Sequence, residues 1–172
     1  MSINTKFEQA GFWERVKAFG LDYVLILFYL IAITLVIFLL NSLFHINGLM
    51  FSERVRAQFF AFLLVTLPVT LYFSINESSK QQATWGKKRL SLQVVDANGG
   101  RISPGRAFTR TLLKFIPWEL SFSPQANSIW ISLGFGSVYV LIGLNIVSLL
   151  RTKSHQTVYD LLTGTYVIKQ NL

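Results

Sequence analysis

The sequence predicts an all-α membrane protein with three full transmembrane helices, one partial or kinked membrane helix and a short cytoplasmic β element. Three observations predict it. Hydrophobic residues make up 52% of the 172 positions and charged residues 14%, where soluble domains carry about a quarter. Three apolar runs reach the ~20 residues a bilayer span needs. The basic residues, in a chain of net charge +8, fall between those runs, which points to anionic lipid headgroups as partner rather than nucleic acid. The absence of cysteine excludes disulfides, thiolate metal sites and thiol catalysis.

The elements follow in order within a single domain, residues 1–172. About twenty polar or mixed residues precede the first apolar run, which is too long for a signal h-region of about 7–15 residues. The N-terminus is therefore expected to be retained. The first span covers residues 21–44, with Asp22 at its threshold and no charge after it. Asn47-Gly48 signals a turn, and Ser52 is a candidate N-cap. The second span covers residues 57–75. Pro68 should kink it, with Thr66 and Thr70 nearby to satisfy freed backbone groups.

The composition then turns polar and basic. Residues 88–103 read as a strand and turn: "LSLQVV" alternates as a half-buried strand does, and "DANGG" is turn chemistry. Ser103-Pro104 resembles an N-cap followed by N1. The helix over 104–122 is amphipathic or half-spanning. Arg106, Arg110 and Lys114 form one stripe for lipid phosphates or an anionic substrate, opposite Phe108, Leu112 and Phe115. Pro117 should bend it, and residues 121–128 should break it. Residues 129–150 form the third span, whose Ser132, Gly136 and Gly143 suit close helix packing. The closing segment, 154–168, predicts a short helix ended by Gly164 and a strand, Thr165–Ile168, able to pair with Leu90–Val95.

Orientation follows the distribution of Lys and Arg. The N-terminal segment holds three, the first linker two, the central segment eight and the tail three. A fourth crossing or half-crossing over 108–129 puts fourteen inside against two outside. Both termini are thus expected in the cytoplasm, in a bacterial inner membrane. Trp13, Trp85, Trp118 and Trp130 are expected at interfaces.

The chain resembles the RDD family of small membrane proteins. Arg15 and Asp22 resemble its opening, "GKKRLSLQVVDANGG" and "GRAFTR" its centre, and "QTVYDLLTGTYVI" its close. The resemblance runs from Gly11 to Ile168. It implies that the arginine and two aspartates behind the family's name are Arg15, Asp22 and Asp160, and that the activity is transport of ions or small solutes. Tyr159 departs from the smaller or basic residue the family often has there.

Arg15 and Asp22 share a helix face, about 10 Å apart, too far for an i,i+4 ion pair. Ala18 between them leaves room for another element, and the closing segment with Asp160 could dock there. A carboxylate near hydrocarbon is costly and should face protein or water. Two uses stay open. Asp22 and Asp160 could bind a proton or monovalent cation, with Arg15 tuning their pKa. Alternatively, the three could form a structural network pinning the tail to the first helix. Asn145, Thr66 and Thr70 could line a polar path or bond a neighbouring backbone. His45 and His155 fall on opposite sides, so they cannot share a metal. No catalytic set is recognisable, so no enzyme, cofactor or metal is expected. The expected function is transport, by a homo-oligomer because so few helices barely enclose a pathway; the alternative is a non-transporting accessory or scaffold subunit.

Overall fold

A computed structural model describes residues 8–121, 128–152 and 155–170. Helix α1, Phe12–Phe44, starts well before the apolar run. Its first turn is favoured by Glu14, whose carboxylate accepts from the Gly11 N–H at 2.9 Å, a reciprocal N-terminal contact. Only Ala18, Asp22 and Ile26 on α1 are buried. They recur every four residues, so one narrow face is covered while the rest of the apolar surface is exposed, as a lipid-facing helix requires.

The linker is not the simple turn expected at Asn47-Gly48. A short helix, α2 (Asn47–Phe51), begins there because the Asn41 side chain accepts from the Asn47 N–H at 3.0 Å. The second long helix runs Arg54–Glu77, in three parts: α3 (Arg54–Ala61), a π turn (Phe62–Thr66) and α4 (Leu67–Glu77). Pro68 does not end it. Pro68 has no N–H for the carbonyl four residues back, and the Tyr29 hydroxyl donates to that Leu64 carbonyl instead, at 2.5 Å. Helix α5 (Trp85–Arg89), which the periodicity did not predict, is capped by the Thr84 side chain.

Strand β1 (Leu92–Asp96) pairs antiparallel with β2 (Thr165–Lys169) in the register Leu92↔Lys169 to Asp96↔Thr165; the pairing of these segments was expected, and the first strand begins at Leu92 where Leu90 was expected. The Asp96 carboxylate folds the turn that follows β1 by accepting from the Asn98 and Gly100 amides. The chain's beginning joins the same sheet: Ala10 N–H donates to Val167 O at 3.0 Å and Lys169 N–H to Glu8 O at 2.8 Å. The two ends of the described chain therefore lie together.

Helix α6 (Pro104–Ser121) and α7 (Ser128–Arg151) follow, then α8 (Val158–Thr163). The breaking residues 122–127 lie outside those described. Helix α6 packs between α4 and α7, and α8 packs on both α6 and α7. One apolar core joins the sheet to the base of α1 through Ala10, Ala18, Leu92, Val94, Ile102, Ala107 and Val167. A second, farther along the bundle, joins Ile26, Val69 and Phe73.

Among the described residues, Phe12–Phe44 and Arg54–Glu77 are long and apolar enough to cross a membrane. The third expected span is helical, but its described apolar stretch is the shorter Gly136–Arg151. A side chain added at Gly136 or Gly143 would meet nothing within 4 Å. Among the described residues, nothing packs closely against those glycines.

Candidate functional site

The sheet end of the helices encloses a cluster of ionised side chains. Asp160 is supplied by α8, at the third position after its first residue's cap, where the Thr157 N–H donates to Oδ2 at 3.3 Å. The helix leaves that backbone donor unpaired, and a carboxylate satisfies it. Asp160 is fully buried. Arg15 Nη1 donates to its Oδ2 at 2.6 Å, and Arg110 Nε to its Oδ1 at 2.7 Å. Arg15 also donates to the His155 carbonyl at 2.6 Å. Burial alone would push the Asp160 pKa up, but Arg110 and then Arg15 outweigh it and hold the carboxyl below its ordinary range. Burial and the same carboxylate push the Tyr159 phenol up.

Arg110 continues the network. Its Nη1 donates to Glu77 at the end of α4, and the Tyr159 ring lies 5.3 Å from its guanidinium. Glu77, fully buried, also takes Lys87 Nζ at 2.5 Å, while Lys114 Nζ stands 3.6 Å from Oε1. Arg110 is 2% exposed, so it lies in the interior, whereas Arg106 is exposed. The spacing of four along α6 is real, but the packing of α4 and α8 divides the stripe.

Asp22 stands apart from this network. It accepts from the Tyr72 hydroxyl at 2.8 Å, the Thr84 hydroxyl at 2.5 Å and the Gly86 N–H at 2.7 Å. Asp22 is 1% exposed, and among the described residues no cation pairs with it. The docking room beside Ala18 is filled by α5: a Cβ on Gly86 would lie 2.1 Å from the Ala18 carbonyl. The closing segment docks one turn lower, on Arg15. The closing segment was expected beside Ala18, between Arg15 and Asp22; it meets Arg15, and α5 takes the place beside Ala18 and Asp22. The reason is physical: α5 brings neutral donors to one acid, and α8 brings the other to arginines.

Asn145 binds locally, donating to Leu141 O at 2.7 Å and accepting from the Val158 N–H at 3.0 Å. It ties α8 to α7. Thr70 is buried with an unpaired hydroxyl, on the α4 face that carries Ser74 and Glu77. Thr66 lies in the π turn. The sequence reading missed Glu77, Lys87, Tyr72, Thr84 and Gly86. A signal existed for Glu77: it is the acid that closes the second apolar run, as Asp22 opens the first. Among the described residues, no group of three or more potential ligands could hold a metal.

The arrangement has two chemical capacities: a saturated ion-pair lock, and a buried carboxylate held by neutral donors. A sequence model described as "RDD family" matches residues 9–164. The chain is 33% identical, over 112 residues, to an uncharacterized protein of Bacillus subtilis, YxaI, a match covering 59% of this chain and 72% of that one. No solved structure matches.

Proposed function

The chain belongs to the RDD family, and from that premise we propose that it carries protons or monovalent cations across a membrane, with Asp22 as the loading carboxylate. One observation carries the proposal: Asp22 is buried at the start of the apolar run within α1, and no cation pairs with it among the described residues. Its three partners are neutral donors. A buried carboxylate without counter-charge attracts a small cation or a proton. Glu77 and Asp160 differ, because cations already neutralise them. Asp160 and Arg15 then act as the fixed anchor of the tail, which revises the two-acid carrier read from sequence.

In this reading 129–150 forms a third span, and the helix over 104–122 enters the membrane partway. Both ends lie in the cytoplasm with fourteen of the sixteen basic residues, next to anionic lipid. Transport would further require a homo-oligomer, with the open glycine face of α7 between copies.

The test is flux of sodium, potassium and protons into vesicles containing the purified chain. Coupled flux that disappears in Asp22→Asn, with the fold retained, supports the proposal. A second reading, a non-transporting accessory or scaffold subunit, is favoured by the saturation of Asp160 and Glu77. It predicts no flux under any gradient, a membrane protein partner that copurifies, and a purely structural part for Arg15 and Asp160.

A further inference from the structure

Six ionisable side chains meet at the sheet end of the helices, and with all six charged their charges do not balance. Arg15, Lys87, Arg110 and Lys114 are cations; Glu77 and Asp160 are the acids they contact. Counting Asp22 as well still leaves the cations in excess. The other acids whose side chains are described are engaged elsewhere: Glu8 and Glu14 with Lys169, Glu53 with Arg56, and Asp96 with its own turn. The cationic side chains are only 2% to 18% exposed. Surplus charge in such a place is costly unless a counter-charge meets it.

Lys114 shows where the surplus sits. Its ammonium has three donors and makes no hydrogen bond among the described residues. The nearest acid oxygen, Glu77 Oε1 at 3.6 Å, is already held by Lys87 at 2.5 Å. The rings of Phe73 and Tyr159 lie 5.2 Å and 5.0 Å away, and they attract a cation without supplying an oxygen acceptor. Burial lowers the Lys87 pKa, and Glu77 offsets only part of that fall. Two ammonium groups thus share one carboxylate oxygen.

We propose that a phosphate-class oxyanion completes this cluster, held by the ammonium groups of Lys114 and Lys87. A phosphate brings the missing negative charge and several strong acceptors for ammonium donors. Its source is either the headgroup of an anionic lipid or free inorganic phosphate. Exposed Ile75 and Phe108, on the two helices that carry Glu77 and Lys114, set lipid-facing surface beside the cluster. The inference goes beyond cation loading and does not depend on Asp22.

The test uses the full chain, delipidated in a non-ionic detergent. Labelled inorganic phosphate is followed by equilibrium dialysis, and dioctanoyl phosphatidylglycerol by native mass spectrometry, with dioctanoylglycerol as the phosphate-free control. Saturable binding of either phosphate probe, weakened about tenfold or more in Lys114→Gln and largely kept in Lys114→Arg, is the expected result. Binding of the lipid alone identifies a headgroup site; binding of inorganic phosphate identifies a soluble anion. If Lys114→Gln does not fold, Lys87→Gln must show the same weakening. Neither probe binding above the control, or full binding in the glutamine variants, overturns the proposal.

Discussion

Arg15 and Asp160, separated by 145 positions in the chain, meet at 2.6 Å in a buried ion pair. This contact fastens the last helix to the first one beside the sheet that already joins both ends. Removing one member leaves its partner buried with less compensation. Arg15→Ala should cost about 3 kcal/mol, and Asp160→Leu about 3–5 kcal/mol because Arg110 also loses its acid. The double variant should cost clearly less than the sum, as coupled sites do. Thermal unfolding of the four proteins in one detergent checks this; simple additivity would show that the pair does not couple.

Asp160 also predicts an acid limit. Its folded pKa lies below the ordinary value of 3.8, so the unfolded chain binds its proton more readily. The stabilisation is full above that ordinary value and falls as pH drops below it. Unfolding midpoints measured from pH 6 to pH 2 should therefore decline in the wild type below about pH 4. In Asp160→Asn this component of the decline should vanish. Equal acid sensitivity in both proteins would contradict the assignment.

Gly86 and Gly143 should respond oppositely to the same change. A Cβ at Gly86 meets the Ala18 carbonyl and the Asp22 backbone, neither of which is a flexible side-chain end. Gly86→Ala should cost about 1–3 kcal/mol or more and expose residues 85–89 to protease. At Gly143 nothing lies within 4 Å, so Gly143→Ala should leave the monomer unchanged or steadier by up to about 1 kcal/mol. If copies associate through that face, the same variant should weaken association in crosslinking or sedimentation.

Tyr29 and Pro68 form a third testable pair. Tyr29→Phe removes the donor to the Leu64 carbonyl and should cost about 1–3 kcal/mol, the penalty of a polar group left unsatisfied. Pro68→Ala restores a backbone N–H and should make the tyrosine substitution nearly neutral. A loss from Tyr29→Phe that is the same in both backgrounds would refute the link.

Much of the fold was legible because long-period patterns report on it. Apolar length located the first two spans, alternation located β1, and the Gly164 signal located the end of α8. The pairing of β1 with β2 was legible from two short apolar strands, but their register was not, because in four of the five pairs a buried residue faces a half-buried one. The site was legible by residue type but not by partner. Asp22, Asp160, Arg15, Arg110 and Lys114 were all singled out, yet their pairing depends on where α5 and α8 dock. Helix α5 is five residues long, too short to show periodicity, and it decides that Asp22 meets Gly86 and not Asp160. Glu77 carried a signal only by its place, as the acid that closes the second apolar run; its partners Lys87 and Arg110 come from other helices and left no pattern beside it.

Difference infrared spectroscopy of the reconstituted protein, on exchanging protons for sodium or potassium, tests most directly whether Asp22 changes its occupant. The account predicts a carboxyl band that shifts on exchange, is absent from Asp22→Asn and persists in Asp160→Asn. A spectrum silent at Asp22, or a shift that survives Asp22→Asn, would contradict it.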